Sequence, residues 1–268
     1  MTFDYLSDVH LEFFDDTNGL SVAEASRYWF RKFAGERADV LLIAGDVTSC
    51  FQRNMAYVDQ FFEMACERYK KVYAVLGNHD YWSYTTPLTE MKPYFQRTWP
   101  RVCFLEKDSV RLRSGLRLFG ATWWTSTSPK LADFARECFN DYRHIRQGEG
   151  LVTPAFTSEL HAKSRKALLD ALAAHPDDEF IVLTHHAPSR AALRFHSPIF
   201  SAAYVSDDDD ILNTSPQIKV WVHGHLHGEM RYGVGYARIY ANAHGYLTEE
   251  RCIEDDGTSD FEVRQFEL

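Results

Sequence analysis

The stretch VWVHGHLHG, residues 220–228, decides how this sequence is interpreted. An apolar run typical of a buried strand ends in three histidines within five residues, His223, His225 and His227. Imidazoles at the end of a core strand are costly to bury without partners, and histidine is the commonest side-chain ligand of transition metals. The stretch therefore predicts a metal site at the end of a strand in an α/β core.

Four other predicted strands end in polar residues of the same kind. They begin near Phe3, Ala38, Val72 and Phe180. In open α/β sheets, ligand sites assemble at the carboxyl ends of strands, so we expect these ends to share one site. Their sequences are SDVH (7–10), GDVT (45–48), GNHD (77–80) and THHA (184–187).

Together the five strand ends supply two carboxylates, one amide oxygen and several imidazoles. Such donors suit Mn, Fe or Zn ions better than Ca²⁺, which prefers a cage of oxygens. One zinc ion needs only three or four protein ligands, so a larger set predicts two ions that share a bridging carboxylate. The candidate ligands are Asp8, His10, Asp46, Asn78, His185, His225 and His227.

The order of these blocks, D-x-H, G-D, G-N-H-D, H and G-H-x-H, resembles the calcineurin-like metallophosphoesterases. The resemblance extends from Asp8 to His227. It implies an α/β fold, a four-layer α/β/β/α sandwich of two mixed sheets flanked by helices, with residues 1–268 as a single domain. A bacterial branch of the family without an assigned substrate is similar in YLSDVHLEF (5–13), NDYRHIR (140–146), THHAPS (184–189) and WVHGHLHG (221–228).

The resemblance implies a role for each residue of the site. A hydroxide between two metal ions would attack phosphorus in line with the leaving group. His79 would contact the phosphate and protonate the leaving alkoxide. The implied ligands are Asp8, His10 and His227 for one ion, Asn78, His185 and His225 for the other, and Asp46 for both.

Several assignments stay open on the sequence alone. Asp80 either orients the His79 imidazole or caps the next helix. His185 is the expected ligand because it comes directly off its strand, which leaves His186 to face the substrate or hold a ligand by a hydrogen bond. His223 either holds a ligand in that way or is a core histidine with its hydrogen bonds satisfied.

Substrate contacts have weaker support in the sequence. Arginine binds phosphate in a bidentate manner, but most arginines lie on protein surfaces without such a role. The branch has an arginine near position 244, where this chain has a histidine that would replace it in part. The candidates for substrate binding are Asn140, Arg143, His186 and His244, with Arg146 and Arg190 as further arginines.

Secondary structure outside the motifs follows from periodicity and capping signals. A helix over residues 21–35 begins with a capping box, Ser21 with Glu24. Further helices are predicted around residues 55–65 and from Thr153, with a hairpin over 110–124 and a last strand in FEVRQFEL (261–268). Ser206 is expected to cap a short helix whose first turn holds the acidic run 207–210, and Trp123, Trp124 and Tyr142 are expected in the core.

Composition narrows the classes of partner. The formal charge is −9, and no run of Lys and Arg suited to a phosphate backbone is visible, which disfavours a long nucleic acid as substrate. The sequence has neither a signal-peptide pattern nor an apolar stretch of membrane-spanning length, so we expect a cytoplasmic protein without membrane partners. Five scattered cysteines without a CxxC pair predict neither a disulfide framework nor a thiolate zinc site.

The sequence as a whole favours a metal-dependent hydrolase of small phosphate esters. A phosphodiesterase is slightly preferred, because His79 is available to protonate an alkoxide; a phosphomonoesterase or a nuclease of the same fold is the alternative. A non-enzymatic metal-binding interaction module is disfavoured, because every ligand position and the proton donor are retained.

Overall fold

A computed structural model of the chain describes residues 1–16, 19–49, 51–83, 88–96, 99–195, 201–247 and 261–268. In chain order its strands are β1 (Thr2–Leu6), β2 (Val40–Ala44), β3 (Lys71–Val75), β4 (Val102–Phe104), β5 (Asp108–Arg113), β6 (Leu116–Ala121), β7 (Arg146–Gln147), β8 (Gly150–Leu151), β9 (Glu179–Thr184), β10 (Ile218–His223), β11 (Glu229–Val234), β12 (Ala237–Asn242) and β13 (Arg264–Glu267). The α-helices are α1 (Glu12–Asp16), α2 (Val22–Lys32), α3 (Phe51–Arg68), α4 (Leu88–Gln96), α5 (Ala132–Cys138), α6 (Asp141–His144), α7 (Pro154–Ala174), α8 (Ser201–Tyr204) and α9 (Asp209–Thr214).

Two mixed sheets form the centre of the molecule. The first has the order β13-β1-β2-β3-β4, with β13 antiparallel to β1 and the other pairs parallel. The second has the order β11-β12-β10-β9-β6-β5, with antiparallel pairs at both edges and parallel pairs between them. Strands β7 and β8 form a separate two-stranded ribbon.

The two sheets pack face to face through apolar side chains. Leu42 and Val75 of the first sheet and Leu183 and Val222 of the second belong to one buried cluster. Strand β2 is buried along its whole length, as its continuous apolar sequence predicts for a strand covered on both faces. Burying each such side chain contributes roughly 1.5–3 kcal/mol, so this layer is a main source of stability.

Helices cover the outer face of each sheet. Trp29 of α2 and Phe62 of α3 pack in a cluster with Leu41 of the first sheet, while Leu168 of α7 packs with Trp221 of the second sheet. The order of layers is therefore helix, sheet, sheet, helix. This confirms the α/β sandwich with two mixed sheets and flanking helices.

Local predictions have mixed outcomes. The capping box of α2 is confirmed: the Ser21 hydroxyl accepts from the Glu24 backbone N–H, and the Glu24 carboxylate accepts from the Ser21 backbone N–H. The hairpin, the helix beginning at Pro154 and the last strand are also confirmed. The sequence does not predict the two edge strands β4 and β11, because β4 has only three residues and β11 alternates half-buried and exposed positions without an apolar run. The three aromatic residues Trp123, Trp124 and Tyr142 are buried, as expected.

The expected cap at Ser206 is wrong. The helix begins at Asp209, and the residue before it is Asp208. The Ser206 hydroxyl lies 3.4 Å from Nδ1 of His161 instead. Asp208 is turned inward, where its carboxylate accepts a hydrogen bond from the Trp123 indole N–H. Two acidic residues do lie in the first turn of α9, as expected.

The strand ends of the two sheets meet at one edge of the sandwich. The backbone N–H of Asp8, after β1, donates to the carbonyl of Gly45, after β2. The backbone N–H of Gly224, after β10, donates to the carbonyl of His185, after β9. Ser7 and Ala243 form an isolated parallel bridge between the two sheets. Within the described ranges, no helix has both the length and the apolarity needed to span a bilayer.

Candidate metal centre

One group of metal-binding side chains joins the ends of β1 and β10. Asp8, His10 and His227 place one donor atom each within 4.8 Å of the others. His227 Nε2 lies 3.5 Å from Asp8 Oδ1 and 3.3 Å from His10 Nε2. The Asp8 carboxylate is also held by the backbone, because both of its oxygens accept from the backbone N–H of His225.

A second group joins the ends of β2, β9 and β10. Asp46, His185 and His225 again place one donor atom each within 4.8 Å of the others. His185 Nε2 lies 3.3 Å from Asp46 Oδ2 and 2.8 Å from Asn78 Oδ1. Neither ring nitrogen of His225 hydrogen-bonds to a residue that the structure describes, so either nitrogen could serve as the donor atom to an ion.

The spacing of these atoms fits ligands arranged around metal ions. Metal–ligand bonds of about 2.1 Å place neighbouring ligands of a tetrahedral ion about 3.4 Å apart. Each group contains separations of 3.3 to 3.5 Å, close to that value. Asp46 Oδ2 also lies 3.8 Å from His10 Nε2 of the first group, so this carboxylate stands between the two groups.

Backbone strain is concentrated at the same residues. A positive φ is uncommon outside glycine and persists where the surrounding structure holds it in place. Six non-glycine residues among those the structure describes have a positive φ, and four of them are predicted ligands. These four are Asp8 (52°), His10 (49°), Asp46 (54°) and His225 (65°).

Two glycines allow the strand ends to approach closely. A Cβ at Gly77 would lie 2.1 Å from Asp46 Oδ1, and a Cβ at Gly224 would lie 2.7 Å from Asp8 Oδ2. Gly77 does not have a positive φ. Its role is therefore to make room for the carboxylate, and not to form the sharp turn that a Gly after a strand often indicates.

His79 lies against both groups, with a donor atom within 4.8 Å of those of His10 and Asp46, and its ring is held on several sides. Its backbone N–H donates to Asp46 Oδ1 at 2.8 Å, and its ring stacks on Trp82 with centroids 3.7 Å apart. Burial alone would lower the pKa of His79, but the carboxylates of Asp46 and Glu12 outweigh it and raise this pKa to about 9. Nε2 of the ring lies 3.4 Å from the Tyr246 hydroxyl.

Asp80 has neither of the two roles expected of it. Its carboxylate accepts from the backbone N–H groups of Asp46, Val47, Thr48 and Gly77, at 2.8 to 3.1 Å. It therefore joins the loop after β2 to the loop after β3. Burial, together with a smaller contribution from repulsion by the Asp46 carboxylate, raises the pKa of Asp80 to about 7.

Two buried acidic residues orient side chains of the site. Neither residue was predicted from the sequence. Glu12 Oε1 accepts from His10 and lies against Nδ1 of His79. Asp141 Oδ1 accepts from the Asn78 amide and from the Trp82 indole, each at 2.8 Å. The bond to Asp141 turns the Asn78 amide so that its oxygen faces His185. Both acids lie inside sequence blocks that carried the family resemblance, and that position was the available signal.

The two adjacent histidines after β9 point in different directions. His185 donates through Nδ1 to the carbonyl of Ala44, which leaves Nε2 facing the second group. His186 Nδ1 bonds to the carbonyl of Thr122, and its ring packs on His225. Burial lowers the pKa of His186 to about 3. The geometry therefore favours the first of the pair as the donor.

His223 is a buried histidine with satisfied hydrogen bonds. Its Nε2 bonds to the Tyr232 hydroxyl at 2.9 Å, and its Nδ1 lies 3.0 Å from the carbonyl of Gly224. Burial lowers its pKa to about 4. Of the two roles left open for this residue, the structure supports the core histidine.

A cavity of about 390 Å³ opens beside both groups. Its lining combines aromatic rings with four of the predicted donors. Such a volume suits a small molecule. The lining residues include Asp46, Asn78, His79, Trp82, Phe139, Asn140, Tyr204, His225, His227 and Tyr246.

Comparison with known proteins agrees with this geometry. The sequence profile of the family described as calcineurin-like phosphoesterase matches residues 1–229. The chain belongs to this family. This metallophosphoesterase is therefore a phosphoric ester hydrolase by family, and its buried Asp and His groups are able to bind metal.

Individual relatives are distant. Uncharacterized protein L509 of Acanthamoeba polyphaga mimivirus is 24% identical over 264 residues, which is 91% of each chain. A solved phosphopantetheinyl hydrolase from Mycobacterium tuberculosis is similar with a TM-score of 0.68 and 18% identity, covering 99% of this chain and 95% of that one. A dimetal phosphatase from Danio rerio has a TM-score of 0.52 and 14% identity, covering 92% and 88%. At these identities the structures show a shared fold.

Among the metallophosphoesterase's predicted substrate contacts, only Asn140 lines the cavity. Arg143 is exposed and bonds to the carbonyl of Glu137. His244 is buried in an aromatic cluster and bonds to the Tyr28 hydroxyl at 2.8 Å, and His186 lies behind His225. The structure therefore gives no support to substrate contact by these three residues.

The two further arginines also lie elsewhere. Arg146 donates to the carbonyl of Glu149. Arg190 pairs with Asp207 at 3.3 Å and lines a second cavity. Neither residue lines the cavity beside the metal-binding groups.

Proposed function

We propose that this metallophosphoesterase is a two-metal phosphodiesterase acting on small molecules. One observation carries the proposal. Oδ2 of Asp46 lies 3.8 Å from His10 Nε2 of the first donor group and 3.3 Å from His185 Nε2 of the second, and His79 lines the same cavity as Asp46. A dinuclear hydrolase needs these parts within reach of one phosphate group.

The ligand assignment follows the two groups. Asp8, His10 and His227 would hold one ion, Asn78, His185 and His225 the other, and Asp46 both. Nitrogen and carboxylate donors of this kind suit Mn, Fe or Zn. When bound, two such ions supply an activated water and neutralise charge on the phosphoryl oxygens.

His79 is the proposed proton donor. With its pKa raised to about 9, the imidazole carries a proton at neutral pH. Its Nε2 lies 3.4 Å from the Tyr246 hydroxyl, and both residues line the cavity in which an alkoxide leaving group of a bound ester would accept that proton. Asn140, which lines the same cavity, is the proposed polar contact to the rest of the substrate.

The wall of the cavity supports a diester as substrate. Beyond the donor groups, the lining includes the rings of Trp82, Phe139, Tyr204 and Tyr246 and the side chain of Leu226. Aromatic and aliphatic surfaces bind apolar or planar groups, and a diester presents an organic group on each side of its single negative charge. A small molecule fits this volume, so we keep a long nucleic acid as the disfavoured alternative. A cytoplasmic location remains a prediction.

A substrate panel tests the proposal. Purified protein with added Mn²⁺ is assayed against a nitrophenyl diester, a nitrophenyl monoester, cyclic nucleotides, short oligonucleotides and a phosphopantetheinyl ester, the class named for the similar mycobacterial structure. We expect higher kcat/KM for small diesters than for the monoester, and loss of turnover after chelation. Higher kcat/KM for the monoester would replace the diesterase by a phosphomonoesterase.

A further inference from the structure

We infer that Glu12 is a positioning residue for the proton donor His79. One of its carboxylate oxygens hydrogen-bonds both to this histidine and to the predicted metal ligand His10. This inference rests on the proposed function of the site. Oε1 of Glu12 lies 3.0 Å from Nδ1 of His10 and 3.2 Å from Nδ1 of His79. The two imidazole rings meet edge to face with centroids 4.6 Å apart.

The contact fixes which nitrogen of each ring is free. A carboxylate accepts hydrogen bonds, so the nitrogen facing Glu12 carries a hydrogen in both rings. His10 is then left with Nε2 facing Asp8 and Asp46, at 4.0 and 3.8 Å. His79 is left with Nε2 facing the Tyr246 hydroxyl. One oxygen thereby sets the orientation of a metal ligand and of the proposed acid together.

The described contacts give the carboxylate no other structural task. Glu12 is buried, and among the residues that the structure describes its second oxygen, Oε2, has no hydrogen-bond partner. A buried carboxylate is costly unless paired, and the two histidines are the partners that its described contacts provide. Although Glu12 is the first residue of the short helix α1, its side chain turns to the two rings.

The other contacts of His79 hold its backbone and the plane of its ring. The flip of the ring within that plane is what Glu12 controls. The backbone N–H is bonded to Asp46, and one ring face stacks on Trp82, whose indole is fixed by Asp141. Stacking holds the plane of the ring but permits the ring to be flipped within it. The hydrogen bond from Nδ1 to Glu12 selects the orientation in which Nε2 faces the hydroxyl of Tyr246, a residue that lines the cavity together with His79.

The variants Glu12→Gln and Glu12→Ala test this inference, with Glu106→Gln as the matched control. Glu106 also accepts two hydrogen bonds through one oxygen, from the backbone and hydroxyl of Thr122, but has no histidine among those partners. The first measurement uses metal-free protein labelled with ¹⁵N in histidine. We expect a slowly exchanging Nδ1–H signal of His79 in the wild type and the control, and its loss in Glu12→Ala. An unchanged signal in Glu12→Ala would overturn the inference.

The second measurement compares kcat for substrates with poor and good leaving groups at saturating Mn²⁺. Substitutions of residues that orient a metal site cost about 10–100-fold in affinity or activity. We expect Glu12→Ala to lower kcat by that factor for an alkyl diester and by less than about threefold for a nitrophenyl diester. We expect a smaller loss in Glu12→Gln, because the amide oxygen still accepts a hydrogen bond. Equal slowing of both esters, or full recovery on adding more Mn²⁺, would overturn the inference.

A double variant closes the test. At saturating Mn²⁺ the effect of Glu12 on His10 is masked because the metal sites are filled, so removal of Glu12 in a His79→Ala background should change kcat for the alkyl ester by less than about twofold. Multiplication of the two single losses would contradict the inference. If the wild-type protein hydrolyses no phosphate ester, the proposed function fails, while the ¹⁵N signal still decides the orienting role of Glu12.

Discussion

Replacing Gly77 by alanine should damage the centre more than a single methyl group normally does. The added Cβ would lie 2.1 Å from Asp46 Oδ1 and 2.5 Å from the Asp46 backbone nitrogen. Neither atom is free to move away. Oδ1 accepts from the backbone N–H of His79, and the backbone nitrogen donates to Asp80.

The size of the effect follows from these distances. Ordinary van der Waals contact begins at 3.4 Å, so the Asp46 oxygen must move by about 1.3 Å, which is 3.4 minus 2.1. A displacement of about 1 Å at a catalytic group costs on the order of 100-fold in rate. Overpacking of a filled site costs about 1–3 kcal/mol, which for a chain of this size lowers Tm by several degrees.

The assay is kcat/KM for a nitrophenyl diester together with Tm and metal content. Gly233→Ala is the matched control, because a Cβ there would meet its nearest neighbour, the carbonyl of Ala237, at 3.7 Å. We expect Gly77→Ala to lose about 100-fold in kcat/KM and the control to lose less than about twofold. Equal activity of the two variants would refute the close-packing explanation of the Asp46 position.

Three further predictions concern single residues. His79→Ala should keep metal but slow an alkyl ester about 100-fold and a nitrophenyl ester far less, measured as kcat for the two esters; equal slowing would exclude proton donation. Burial alone would lower the pKa of His185, but Asp46 raises it to about 9. Because coordination needs the neutral ring, metal affinity measured by titration should therefore fall about tenfold per pH unit below 9; constant affinity from pH 6 to 9 would contradict this. Asp141→Leu should release the Asn78 amide and weaken metal binding by about 10–100-fold, whereas the surface change Asp133→Leu should not.

The sequence predicted the donors because their signal is local. Each candidate ligand lies one to four residues after the end of an apolar strand, and strand ends on one edge of a sandwich must lie together. The order of the five blocks then identified the family, and with it the two sheets and the outer helices. His185 could be preferred to His186 for the same reason, since it is the first residue after β9.

The residues that orient the donors left little signal in the sequence. Glu12 and Asp141 are single acidic residues. Although His10 is two positions from Glu12, its other partner, His79, is 67 positions away, and Asn78 is 63 positions from Asp141. Asp80 follows the expected proton donor directly, yet its carboxylate faces four backbone N–H groups on two loops. Such partners are set by tertiary packing, which neither periodicity nor spacing encodes. The positive φ of Asp46 and His225 is likewise imposed by contacts between loops.

The same limit explains the wrong assignment of Ser206. A serine before an acidic run is a common N-cap signal. In the structure, the Asp208 carboxylate instead accepts from Trp123 and pairs with Arg165 and His161. These buried partners determine the local conformation, and the helix begins two residues later than the capping signal indicates.

The central claim is that two ions share Asp46. Electron paramagnetic resonance of the Mn²⁺-loaded protein tests it most directly, because ions about 3.5–4 Å apart with a common carboxylate are magnetically coupled. Titration of metal-free protein should give a coupled two-ion spectrum at two equivalents per chain, and Asp46→Asn should lose it. Saturation at one equivalent, or two independent single-ion signals in the wild type, would contradict the account.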